Sequence, residues 1–447
     1  MFFITYIFNI MVNKIKIVTA LAVFGLINVL SVQNISAQET KKEFGVELGG
    51  WIRTDMYWDT RATSGARESM LCFIPKNEDL NEQGKDINAT PSFYWGCMAS
   101  RVNAKITSPD FVRANVSGFV EAEFIGQAND QTNVLRMRHA YVNLDWGQSK
   151  LLVGQTWHPM LLMESIPMSV SGNAGAPIGL LVRSPQARFT QNLSKTFSLQ
   201  ATAYTERDLM STGPLGGPLG SPSVDYQKNS LIPSVNLLFK HKSMDNKFTV
   251  GASGGLKTIK PYSMNLTGLE TEGTLSTFTA NVFMGSEVGD FSIRLNGYYG
   301  GNMTDMLMLG GYAVKSETQH PEKMEYEYTP FNNLSILADF GYTIHKNAKV
   351  GILGGINMNL GTPDEISSAN RCFYSPYFGG EPIDKVIRVA PRFTYQAGKV
   401  QFAAEVEYTQ ASYGKDKELS GDLWKGKWSS TTDVSNIRFL FVTTLFF

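Results

Sequence analysis

Past residue 40 the chain alternates apolar and polar positions with a period of two, in segments of about 10 to 14 residues. In the first, Phe44, Val46, Leu48, Ile52, Met56 and Trp58 share one parity, with Glu47, Arg53, Asp55 and Asp59 on the other. Further along, Val112, Ala114, Val116, Val120, Ala122 and Phe124 alternate with Arg113, Asn115, Ser117, Glu121 and Glu123. Near the end, Val400, Phe402, Ala404, Val406 and Tyr408 alternate with Gln401, Glu405, Glu407 and Thr409. Such runs predict β-strands with one apolar and one polar face. Sixteen can be placed between 44–59 and 433–447, including 93–107, 133–145, 179–191 and 400–410, and no 3.6-residue period competes. Short connections at 108–110, 145–148, 192–195 and 396–399 alternate with long ones at 60–92, 158–178, 208–230, 300–330, 360–383 and 411–432. One segment breaks the pattern. Arg136 and Arg138 share a parity with Ala140, Val142 and Leu144, so 133–145 contains either a bulge or a face packed on protein.

A soluble sandwich usually has strands of about five or six residues. These are longer, even in number, and joined by turns on one side and loops on the other. Those are the marks of a membrane barrel whose apolar face meets lipid and whose polar face meets a wet lumen. Tyr57, Trp58, Tyr94, Trp95, Tyr141, Trp146, Tyr342 and Tyr395 fall toward strand ends, where aromatic girdles belong. The final segment, NIRFLFVTTLFF, stops on Phe447 and can close the sheet on its first strand. The expected fold is therefore all-β: a transmembrane antiparallel barrel of sixteen strands, with short periplasmic turns and long extracellular loops.

Composition agrees. Lys+Arg and Asp+Glu are both 40 over 447 residues, which disfavours a nucleic-acid partner. Gly at 41 against Pro at 18, with 12% aromatics, argues against disorder. Residues 1–37 read as a secretory signal peptide: Lys14 and Lys16, an apolar stretch from Ile17 to Leu30, and a cleavage site at Ile35-Ser36-Ala37. The ten residues before Met11 do not belong to that pattern, and Met11 is the expected start. Cleavage leaves 38–447 as the barrel, in the outer membrane of a Gram-negative bacterium.

Three stretches are similar to a known family: LGGWIRTDMYWDT (48–60), LRMRHAYVNLDWGQSKLLVGQTWHP (135–159) and RVAPRFTY (388–395). They resemble the DcaP-like outer-membrane porins, and the sixteen strands, terminal Phe and long loop after the fifth strand resemble the trimeric general-porin fold. The resemblance implies a homotrimer of water-filled channels in outer-membrane lipid, passing small polar or anionic solutes such as carboxylates. Members can carry a helical extension before the barrel. Here the first strand follows closely on the expected cleavage site, so that element is absent from the reading.

For a channel, the inward parity carries the chemistry. It holds twelve basic residues: Arg53, Arg101, Arg136, Arg138, Arg388, Arg392 and Arg438, with Lys105, Arg113, Arg188, Lys257 and Arg294. The acids on that parity are Asp55, Glu121, Glu123, Glu206, Asp339, Glu405 and Glu407. The seven arginines named first form one expected wall spanning strands 1, 2, 4, 14 and 16. It reads either as an anion-attracting constriction, since a guanidinium fork suits carboxylates, or as arginines bracing the wall through Glu121, Glu123, Glu405 and Glu407. The loop at 158–178, with Glu164 its acid, stands where this fold inserts a constriction loop; a surface loop is the alternative. Cys72 and Cys97 form the expected disulfide, leaving Cys372 over. Asp79-x-Asn81-x-Gln83-Gly84 is a poor calcium loop, with Thr90 at its closing position. His241-x-Ser243 has the spacing of a nucleophile pair but falls in a turn. No catalytic residue, metal or cofactor is assigned. The leading expectation is a passive anion-biased channel; an outer-membrane hydrolase and a loop-based adhesin stand as alternatives.

Overall fold

The computed structural model describes residues 43–126, 129–214, 220–264 and 268–447; the expected signal peptide, 1–37, lies outside them. Sixteen antiparallel strands form the barrel. The first eight are β1 (Gly45–Asp59), β2 (Arg101–Phe111), β3 (Ala114–Glu123), β4 (Arg136–Asp145), β5 (Ser149–Trp157), β6 (Arg183–Asn192), β7 (Phe197–Tyr204) and β8 (Ser234–Lys242). The rest are β9 (Phe248–Ile259), β10 (Leu275–Val288), β11 (Phe291–Gly301), β12 (Asn332–His345), β13 (Ala348–Gly361), β14 (Ile383–Ala397), β15 (Val400–Ser420) and β16 (Leu423–Phe446). Each pairs with the next. The ring is closed by β1 on β16, in register from Trp51↔Phe446 to Asp59↔Arg438.

Period two explains the faces. On β1, Val46, Leu48, Ile52 and Trp58 are exposed toward lipid, while Asp55, Tyr57 and Asp59 are buried toward the lumen. On β16, Phe439, Phe441 and Leu445 look out and Arg438 looks in, fully buried. Trp58 and Phe93 sit 4.7 Å apart, part of the outer aromatic patch at the loop end.

Every expected strand is present, with three local differences. The second is interrupted: Ser92–Gly96 pairs with the loop end of β1, and β2 with its other end. The break at 97–100 is used, since Trp51 Nε1 donates to Ala99 O at 3.0 Å and Arg53 N to Ser100 Oγ at 3.0 Å. Arg113, expected on an inward strand face, is exposed in the β2–β3 turn, with Val112 and Arg113 at φ 49° and 61°. The segment 411–432, expected as a long loop, is instead the outer part of the β15–β16 hairpin, whose strands run 21 and 24 residues. Its polar, alternating residues continue the ladder beyond the lipid band, where parity carries no lipid signal.

The lumen is not open throughout. Loop residues Phe73, Ile74, Ala176, Ile178, Leu307, Leu309 and Phe378 pack on inward Leu337, Leu353, Val386, Ala390, Ala411 and Val434 as one dry cluster. A second cluster buries Met160, Leu180, Met303, Met306 and Met308 against Tyr298. The β11–β16 side of the barrel is thus plugged by loops.

The expected Cys72–Cys97 disulfide is not formed; all three cysteines are free thiols. The short hairpin Thr63–Ala66/Leu71–Pro75 turns into the lumen and buries Cys72 completely, while Cys97 stays exposed at the break before β2. Folding inward separates two residues that flank the same loop in sequence. Denatured without reductant, the chain should therefore titrate three thiols with a chromogenic disulfide, and the native barrel should expose Cys97 first. A count of one would restore the bridge.

Candidate functional site

The structure builds its charged site around a bulge in β4. The β3–β4 ladder pairs Glu121 with His139 and Ala122 with Met137, leaving Arg138 as the extra residue. Arg136 and Arg138 are consequently both buried in the lumen while Met137 is exposed on the outside. Gln155 Nε2 donates to the Arg138 carbonyl at 3.1 Å, satisfying a group the bulge would orphan.

Three guanidiniums converge on two carboxylates. Arg138 donates to Glu121 Oε1 at 2.6 Å and to Glu123 Oε1 at 2.7 Å. Arg136 Nη2 reaches Glu123 Oε1 at 2.8 Å, and Arg101 Nε reaches Glu123 Oε2 at 2.9 Å. Asp208, on the loop after β7, joins Arg183 at 2.7 Å and Arg136 at 3.5 Å. Burial alone would raise Asp208, but Arg183 and Arg136 outweigh it and hold the carboxyl below its ordinary range. Aromatic faces support the cations: Arg101 lies 4.4 Å from the Trp51 ring centre, and Trp157 has Arg138 at 5.4 Å and Arg183 at 4.9 Å.

These groups border a cavity of about 580 Å³. Arg53, Arg101, Arg136, Arg138, Arg183 and Arg207 line it, with Arg67 beside them, against only two acids, Glu123 and Asp208. Arg207 is exposed and makes no ion pair among the described residues. Arg53 is fixed by Asp55 at 2.6 Å and donates to Val170 O at 2.8 Å.

The single arginine wall expected from parity is divided. Arg53, Arg101, Arg136 and Arg138 face the cavity; Arg388, Arg392 and Arg438 do not line it, the first and last being covered by loop residues and Arg392 being paired across the sheet. Arg388 donates to Ala176 O at 2.7 Å and Phe73 O at 2.6 Å, with Glu407 at 3.5 Å. Arg392 bonds Asp339 at 2.5 Å, and Arg438 bonds Asp59 at 2.6 Å. Those three tie plug to wall or strand to strand.

Residues 158–182 cross the lumen from β5. Glu405 accepts from Val170 N at 2.8 Å, Ser171 N at 3.0 Å and Ser169 Oγ at 3.1 Å. Asn173 Nδ2 donates to Glu407 at 2.9 Å and Cys72 O at 2.8 Å, and Asn357 Nδ2 to Pro177 O at 2.7 Å. Glu164 bonds Lys240 of β8 at 2.8 Å. A separate buried cluster holds the next loops: Lys257 Nζ donates to Asp305 at 2.5 Å and Asn302 O at 2.7 Å, with Glu206 at 3.7 Å. Ser211 N and Oγ donate to the Glu206 carboxylate at 2.7 and 2.8 Å. Burial, then the Asp305 charge, push Glu206 up to about 7 against the pull of Lys257.

Sequence reading missed Arg183, Arg207 and Asp208. The last two lie in a loop, where parity says nothing, and Arg183 turns inward at the first residue of β6. The residues of the poor calcium motif cap turns: Asn81 Oδ1 accepts from Gln83 N and Lys85 N, and Asp86 bonds Arg61. Ser243 Oγ donates to Asp245 Oδ1 and accepts from Phe248 N, so it belongs to the β8–β9 turn.

A closed sixteen-strand barrel narrowed by a loop after its fifth strand defines the general-porin class of fold. No protein-family model and no curated protein sequence matches the chain. Among solved structures it shares its fold with the outer-membrane channel DcaP of Acinetobacter baumannii, at TM-score 0.62 and 15% identity over 92% of this chain and 100% of that one. The trimer form of OmpT from Vibrio cholerae follows at 0.51 and 13%, covering 91% and 100%. An anion-selective porin from Comamonas acidovorans matches at 0.51 and 8%, covering 91% and 100%.

Two outcomes follow from the geometry. Replacing Arg136 and Arg138 by Ala leaves Glu121 and Glu123 buried with too few partners, so the folded barrel should lose about 3–5 kcal/mol in denaturant titration. Unchanged stability would show that the pairs brace nothing. Glu206 has a folded pKa above its ordinary 4.5, so its stabilising contribution is full below 4.5 and lost as pH rises through about 7. Proteolysis within 205–214 should accelerate between pH 5 and pH 8, and Glu206→Gln should flatten that dependence.

Proposed function

We propose that this chain is an outer-membrane porin of a Gram-negative bacterium, exported through a cleaved signal peptide, that passes small hydrophilic solutes passively with a bias toward anions such as small carboxylates. The observation that carries the reading is the cavity on the β1–β6 side, where guanidiniums outnumber carboxylates within a barrel lumen. Low-dielectric walls focus such a field on the passage. The loop 158–182, anchored on Glu405, acts as the constriction. The shared fold supports the channel role, and the trimer form of OmpT and the anion-selective Comamonas porin support assembly as a homotrimer and anion preference.

The arginines already shared among Glu121, Glu123 and Asp208 shape the passage more than they charge it. The excess falls on Arg207. Its removal tests the field without unpairing a buried acid. In a planar bilayer under a salt gradient, the wild-type protein should conduct in steps of three with an anion-directed reversal potential. That potential should fade near 1 M salt, where the screening length drops from about 8 Å to about 3 Å. Arg207→Ser should lower the anion-to-cation permeability ratio about twofold, the order expected for one focused charge. Absent conductance, or cation preference in the wild type, would overturn the proposal.

A further inference from the structure

We infer that Arg188 forms a second anion station, on the turn side of the constriction loop, which takes a small oxyanion after it has passed the arginine cavity. This rests on the anion-conducting reading above and adds a separate site to it.

Arg188 lies on the inner face of β6 and is half-buried. Its Nε donates to Gln186 Oε1 at 2.9 Å and its Nη2 to Trp157 O at 2.8 Å, both neutral acceptors. No carboxylate of the described residues comes within 4.0 Å, unlike Arg101, Arg136, Arg138 and Arg183. Glu164, whose charge reaches it, is already bonded to Lys240 at 2.8 Å. A lumen guanidinium held by two carbonyl-type oxygens keeps its full charge for a ligand.

The neighbours supply further donors, and the one acid of the described residues within electrostatic reach, Glu164, is engaged by Lys240. Thr202 stands directly across the β6–β7 ladder from Arg188, and Gln200 one inward position further toward the turn. Both are at least nine-tenths buried, and Thr202 Oγ1 and Gln200 Nε2 have no hydrogen-bond partner among the described residues. His158, within electrostatic reach of Arg188, accepts from Met160 N through Nδ1, which places its proton on Nε2. That Nε2–H also has no partner among the described residues. Burial and then the Arg188 charge depress His158 to about 3, so it stays a neutral donor. A guanidinium, a hydroxyl, an amide and an imidazole N–H are the kinds of donor that a carboxylate or phosphate oxygen takes.

Position gives the station its role. Tyr141, which also feels the Arg188 charge, lines a second cavity of about 630 Å³ at the turn end, bordered by Glu47, Lys105 and Ser117. Trp157 borders the upper cavity, and its carbonyl receives Arg188. Arg188 is thus tied to a residue of each space, to Trp157 by a hydrogen bond and to Tyr141 by charge, and conduction requires sites weak and numerous enough to release what they bind.

The test uses the full-length protein in planar bilayers, with succinate or inorganic phosphate added from one side at a time. In the wild type, both should interrupt ion current from the turn side. Arg188→Gln should weaken turn-side block by about tenfold, the loss of one charge-assisted contact, with loop-side block and the Arg207-dependent reversal potential retained. Arg188→Lys should recover part of the phosphate block and less of the succinate block, for want of a bidentate fork. Thr202→Val, near-isosteric and uncharged, should weaken turn-side block two- to threefold, about the weight of one neutral donor; it serves if Arg188→Gln does not assemble. Unchanged turn-side block in Arg188→Gln or Thr202→Val, alongside an anion-preferring wild type, overturns the station and leaves the porin reading standing. A wild type without anion preference overturns both.

Discussion

Lipid accepts no unpaired backbone amide or carbonyl, and the rest of this structure depends on that constraint. An open sheet of sixteen strands would present two bare edges to hydrocarbon, at several kcal/mol for each unsatisfied group. Pairing β1 with β16 removes both edges at once. Closure then imposes two faces on every strand, and with them the strict alternation that puts Val46 and Phe439 outside and Asp59 and Arg438 inside. The charged residues of the lumen are tolerated because the same closure keeps them out of lipid.

A ring of this size encloses more volume than its own side chains can fill. Here the surplus is divided. Toward β11–β16 the loops carry apolar residues inward and make a dry plug, with Leu337 and Val386 meeting Ile178 and Phe73. Toward β1–β6 the wall is charged and leaves a cavity. The seam between the halves is held by buried polar contacts. Glu405 receives three donors from residues 169–171, and Arg388 caps two loop carbonyls while fully buried. Losing a partner in such a seam leaves a charge in a dry place, which is why these side chains brace rather than select.

The barrel was legible because its signal is repeated sixteen times and each repeat answers to the same solvent boundary. Even the irregular segment was readable: the parity slip around Arg136 and Arg138 is the bulge that aims both inward. What parity could not convey is which inward residues stay wet. Arg388 and Arg53 look alike in sequence, yet the first lies under Phe73 and Ala176 and the second borders the cavity. The difference comes from loop packing, a long-range property without local pattern. The same cause hid Asp208 and Arg207 and parted Cys72 from Cys97. The outer β15–β16 hairpin lacks the lipid-facing alternation of the other strands, since its inner face meets loops, as at Tyr413 and Trp424, and its other residues are largely exposed and polar.

The off-centre cavity also divides the chain. Nearly all residues bordering the upper cavity fall between Trp51 and Pro222, and the strands under the plug lie in the remaining half of the chain. The residues that border the cavity are thus nearly contiguous in sequence, and the strands that carry the plug come from the other part of the chain.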